Sequence, residues 1–82
     1  MLLNFNSRGI NMTAMQRKTL LQFKKNLTQA LPNSRIAWAL PVEDDFIELH
    51  LEHDKRTYRK SLKAAKLAIA AGEETGVLII LR

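Results

Sequence analysis

The sequence predicts an α+β fold, a two-layer sandwich in the order αββαβ with both helices on one face of a three- or four-stranded mixed sheet. Three observations carry that expectation. Two stretches, from Thr13 and from Asp54, carry apolar residues at helical spacing. Between them, two short runs alternate apolar and polar residues as half-buried strands do. A final apolar run, Val77 to Leu81, has a strand's length.

Residues 1–12 read as a leader or as a short N-terminal strand. Leu2-Leu3-Asn4-Phe5 is followed by an Asn-Ser-Arg-Gly turn. If that stretch pairs, the order becomes the ferredoxin-like βαββαβ. Residues 13–82 form one α+β domain, because 82 residues do not enclose two cores.

The first helix is expected over Thr13 to Leu31. Thr13 and Gln16 have the spacing of a capping box, in which hydroxyl and amide satisfy backbone donors that the first turn leaves unpaired. Leu20, Phe23, Leu27, Ala30 and Leu31 share an apolar arc of about 100°. Pro32 ends the helix, since it cannot extend the hydrogen-bond ladder.

Arg35 to Leu40 and Phe46 to Glu52 form a hairpin, joined by Pro41 to Asp45. The parity of their pairing decides which face Trp38 takes. Opposite Ile47, Leu40 would carry Ile36 and Trp38 under the helices. Opposite Phe46, it would carry Trp38 to the open face beside Glu48 and His50, as an aromatic platform for stacking. Burying a tryptophan removes roughly 150–250 Å² from water, and that favours the first register.

The second helix is expected from a cap at Asp54 to a left-handed stop at Gly72, crossing over to a parallel last strand. It carries Lys55, Arg56, Arg59, Lys60, Lys63 and Lys66, with no acid after Asp54. Tyr58, Leu62, Ala65, Ala68 and Ile69 lie on the other side and are expected to close the core. In the last strand Leu78 and Ile80 oppose Val77, Ile79 and Leu81, so one set has no helix above it. A bare apolar stripe marks an interface, and a homodimer through Leu78 and Ile80 is expected.

The chain has 13 Lys and Arg, 8 Asp and Glu, a net charge of +5 and no cysteine. Disulfides and thiolate metal sites are thereby excluded, and a cytoplasmic protein is expected. The opening residues lack a signal-peptide pattern, and no apolar run approaches the roughly 18 residues of a membrane span.

Glu48, His50, Glu52 and His53 are the one cluster resembling a metal or acid-base site, but alternation divides them between two faces. Glu43, Asp44 and Asp45 lack calcium-loop spacing. Ser7, Ser34 and Ser61 have no nucleophile-elbow context, and three glycines form no phosphate loop. No enzyme, cofactor, metal or small-molecule substrate is therefore expected.

The basic helices point instead to DNA or RNA. Arg56, Arg59, Lys60, Lys63 and Lys66 would meet phosphates, with Arg17, Lys18, Lys24 and Lys25 of the first helix as a second patch. Such contacts position a protein without reading bases. The alternative expectation is a homodimeric assembly module built on the last strand, with the cations incidental. Leu21 and Leu67, inside the basic arcs, favour that reading.

Overall fold

The computed structural model describes residues 12–55 and 57–82. Within them the chain runs α1 (Ala14–Ala30), β1 (Ser34–Glu43), β2 (Phe46–His53), α2 (Tyr58–Thr75) and β3 (Leu78–Leu81). This is the expected αββαβ order, in one mixed sheet with both helices on one face. The strand order is β1-β2-β3, with β1 antiparallel and β3 parallel to β2. Leu2 to Phe5, the candidate ferredoxin-like first strand, lie outside the described residues, as does Arg56.

Helix α1 forms where the capping box places it. Thr13 Oγ1 accepts from the Gln16 amide at 3.0 Å, and the Gln16 side chain accepts from the Thr13 amide at 2.8 Å. The same Gln16 is buried, and its Nε2 donates to the carbonyls of Glu43 and Phe46 on either side of the hairpin turn. One side chain therefore starts the helix and fixes the hairpin beneath it. Leu20, Phe23, Leu27 and Leu31 are buried, as the apolar arc requires.

The hairpin differs from expectation. Strand β1 runs on through Pro41 to Glu43, leaving Asp44 and Asp45 as the turn. Proline is tolerated because β1 is an edge strand. The register shifts at two places, between Ile36 and Trp38 and between Pro41 and Glu43, leaving Ala37 and Val42 as extra residues. The first shift reverses the parity beyond it. Ile36 meets Leu51, and then Trp38 meets His50, Ala39 meets Leu49 and Leu40 meets Glu48. Ala39 is thus the inward residue, fully buried, and the expected burial of Trp38 is overturned. Phe23 and Leu27 already fill the layer above, and a methyl fits there where an indole does not.

Helix α2 also departs from expectation at both ends and along its face. Thr57, not Asp54, is its N-cap, accepting from the Lys60 amide. It continues past Gly72 to Thr75, and the left-handed stop is Gly76 at φ 81°. Its buried face is Ala64, Ala68, Ala71 and Gly72, while Tyr58, Leu62 and Ile69 are exposed. The reason is close approach: a Cβ on Gly72 would lie 2.6 Å from the Val77 carbonyl oxygen. Small residues let α2 sit against the start of β3; Leu67, read from the sequence as part of the basic arc, packs against the edge of the core, and Tyr58, Leu62 and Ile69 are turned outward.

Candidate nucleic-acid interface

The helices are antiparallel neighbours. The hydroxyls of Thr19, near the start of α1, and Thr75, at the end of α2, share a hydrogen bond in a buried position. At about 1.5 Å per residue, Lys24 and Lys25 lie roughly 8–9 Å along the axis from that contact. Lys66 lies about 13 Å along and Lys63 about 18 Å. The structure therefore brings the second half of α1 to the level of the cations of α2. Arg17 and Lys18 lie at the opposite end of the layer, beside the last turn of α2.

That last turn contains Glu73 and Glu74, because α2 extends beyond Gly72. The expectation of a helix without acids is corrected accordingly. Its cations now have a direction along the helix. Arg59 and Lys60 stand in the first turn, with Lys55 just before it, and there is no acid in the first turn and no base in the last. This is opposite to the arrangement that the helix dipole favours, each such charge being worth about 0.3–1 kcal/mol.

Arg17, Lys18, Lys24, Lys25, Arg59, Lys63 and Lys66 are all exposed. Among the described residues the ion pairs are Arg35–Glu52, Lys60–Asp54 and Arg82–Glu48, so none of these seven is neutralised by a carboxylate. Lys60 differs. It is partly buried, and its Nζ lies 2.7 Å from Asp54 Oδ1. That hydrogen bond, assisted by the Lys55 amide, holds the Asp54 carboxyl below its ordinary value of 3.8. Lys60 is thus already engaged, and Arg59, Lys63 and Lys66 form the open part of the α2 face.

Comparison with known proteins gives no match to a family model, a curated protein or a solved structure. The arrangement is therefore read from its own geometry.

Among the described residues no element packs on the other side of the sheet. Trp38 and Leu40 of β1, Phe46 of β2, and Leu78 and Ile80 of β3 share this face, as their cross-strand partners show. Trp38 is 38% exposed and stacks on His50 with ring centroids 6.0 Å apart. Leu78 is 56% exposed. The two residues expected at an interface, Leu78 and Ile80, thus lie on the uncovered face. Phe46 lies on the open face in either register of the hairpin, whereas Trp38 and Leu40, expected under the helices, join it there because the bulge at Ala37 reverses the parity of β1.

Ser34 Oγ and His53 Nδ1 share a hydrogen bond that joins the ends of β1 and β2. They are register partners, and the bond closes the open end of the hairpin. Among the described residues no group of three His, Cys, Asp or Glu could hold a metal ion, and no helix is long and apolar enough to cross a membrane.

Proposed function

We propose that the protein is a non-enzymatic nucleic-acid-binding module that grips the phosphate backbone with the outer face of its helix layer. Arg59, Lys63 and Lys66 form the centre of the site, with Lys24 and Lys25 alongside. Arg17 and Lys18 form a separate patch at the opposite end of the helix layer, near Glu73 and Glu74, and Arg56 belongs to the site by sequence alone.

One observation carries this reading: α2 holds Arg59 in its first turn, at the positive end of its own dipole, and Arg59, Lys63 and Lys66 have no carboxylate partner. A helix tuned only for stability places Glu or Asp in the first turn and Lys or Arg in the last. A polyanion reverses that balance, because phosphates are attracted by the cations and by the helix N-terminus together. The contacts are with the backbone, so affinity depends on salt and only weakly on sequence.

Fluorescence anisotropy with short duplex DNA and RNA tests this at several salt concentrations. Binding should weaken steeply with salt, and Lys63→Ala should lower the slope of log K against log salt by about 1. Arg59→Glu gives the sharper outcome. It should raise thermal stability slightly, by roughly 0.3–1 kcal/mol or more through the dipole, while removing most of the binding. Absence of binding at low salt with either nucleic acid rejects the reading.

The bare sheet face supports a second reading, self-association as a homodimer. Its observation is the set of apolar side chains on that face, Trp38 and Leu40 on β1, Phe46 on β2 and Leu78 and Ile80 on β3, around Glu48 and His50. The two readings use opposite faces of the molecule and are compatible.

A further inference from the structure

We infer that a second copy of this chain covers the open sheet face, and that the resulting back-to-back dimer bridges two separate nucleic-acid segments. The bridging step rests on the phosphate-binding reading above; the dimer contact does not.

The case for an occupant begins with the apolar stripe. A single exposed Leu is ordinary on a protein surface, but five apolar side chains on one sheet face, flanking Glu48 and His50 of the central strand, form a patch of the kind that marks an interface. Charge then selects the occupant. On the sheet face the charged residues form pairs of opposite sign, Arg35 with Glu52 and Arg82 with Glu48, the latter with Arg82 Nε 2.9 Å from Glu48 Oε2. Glu43, the register partner of Phe46, adds one further charge at the turn end, so that face carries far less excess charge than the helix face. About a two-fold axis, each Arg of one copy can approach a Glu of the other, so the pattern is self-complementary as an isologous contact requires. The helix face, with its seven exposed unpaired cations, is the one surface a second copy should avoid.

Size sets the strength. Eight residues of β2 at about 3.3 Å each, across three strands about 4.8 Å apart, give a face near 400 Å² in projection. Counted on both copies that is about 800 Å², below the roughly 1,200 Å² at which standard specific interfaces begin, so the contact is a weak one and the dimer should dissociate on dilution.

Geometry sets the consequence. Sheets stack about 10 Å apart, and each helix layer lies roughly another 10 Å out. The two helix layers are then about 30 Å apart, axis to axis, and their cationic faces point in opposite directions. One straight duplex cannot touch both. The dimer therefore holds two duplex segments, and its bridging avidity comes from linkage rather than from new contacts.

Trp38 is the sole tryptophan and lies on the proposed contact, so its fluorescence reports association directly. The experiment uses the full chain and a Leu40→Thr, Leu78→Thr double variant. Both positions are exposed, and threonine keeps strand propensity without adding charge. Sedimentation equilibrium and Trp38 emission are followed across a dilution series. In parallel, a bead-bound duplex is tested for its ability to retain a second, fluorescent duplex.

The wild type should be a concentration-dependent dimer with blue-shifted emission, and should retain the second duplex. The double variant should sediment as a monomer and lose retention by about tenfold or more, with single-duplex binding changed by no more than about twofold. A wild type that stays monomeric overturns the proposal. So does a dimer that binds labelled duplex in solution but retains none on the beads, which leaves phosphate binding standing. Failure to bind any duplex rejects bridging together with the functional reading, and a dimer seen in that case upholds the sheet-face contact alone.

Discussion

Helix α1 and its C-cap meet the core with Leu20, Phe23, Leu27 and Leu31, whereas α2 meets it with Ala64, Ala68, Ala71 and Gly72. Both helices are amphipathic, yet only the first fully buries large apolar residues, Leu67 of α2 being partly buried at the edge of the core. In α2 the arc containing Tyr58, Leu62 and Ile69 is outside, and the arc of small residues is inside. The volume of the core comes from α1 and from Ile47, Leu49 and Leu51 of β2, and α2 closes it like a lid fitted to what is already there. Burial in a closely packed layer is decided by fit as well as by hydrophobicity.

The largest effects should separate the two helices most clearly. Phe23 is fully buried, and Phe23→Ala should destabilise the fold by about 3–5 kcal/mol through lost transfer energy and the cavity left behind. Ile69 is 62% exposed, and Ile69→Ala should change stability by less than about 0.5 kcal/mol. Urea titration of both variants measures the difference. Equal losses would mean that α2 buries its larger side chains after all.

A smaller but more pointed effect is expected at Gly72. Replacing a helical glycine by alanine ordinarily stabilises by about 0.8–1 kcal/mol. Here the added methyl would lie 2.6 Å from a backbone oxygen, Val77 O, which has no rotamer with which to retreat. Gly72→Ala should therefore destabilise, by about 1–3 kcal/mol as overpacking does. Stabilisation by this variant would show that the α2 to β3 junction is looser than described.

Much of this was legible in the sequence. The order of elements, the capping box at Thr13 and Gln16, and the buried arc of α1 follow from spacing alone, because they depend on residues close in the chain. The face of α2 did not follow, because a hydrophobic arc records which residues dislike water and not which ones the facing surface can accept. The face of Trp38 failed for a related reason. Alternation was read across Ala37 as unbroken, and one extra residue there moved every later side chain of β1 to the other face. In the candidate site the cations were legible but their relation to the dipole was not. It depends on where the helix stops, and Gly76 rather than Gly72 stops it. The bare face of β3 was legible because Leu78 to Leu81 are apolar on both sides, and no register can hide all of them.

The smallest expected effect concerns how the two helices begin. The start of α1 is buried, with Gln16 tied to the hairpin, whereas the start of α2 is exposed and crowded with cations. Asp54 is the carboxylate that the structure places against that crowd, through Lys60. Its folded-state pKa is lowered, first by the hydrogen bond from Lys60, so the unfolded chain binds a proton there more readily than the folded one. The linked contribution to stability is complete above the unfolded value and is lost as pH falls through the folded one. Because the pair is exposed, salt should weaken it. A pH titration of the Asp54 carboxyl by NMR should give a midpoint below 3.8, and Lys60→Met should move that midpoint upward. A midpoint indifferent to Lys60 would remove the pair from this description, and Lys60 would then rejoin Arg59, Lys63 and Lys66 as a cation open to phosphate.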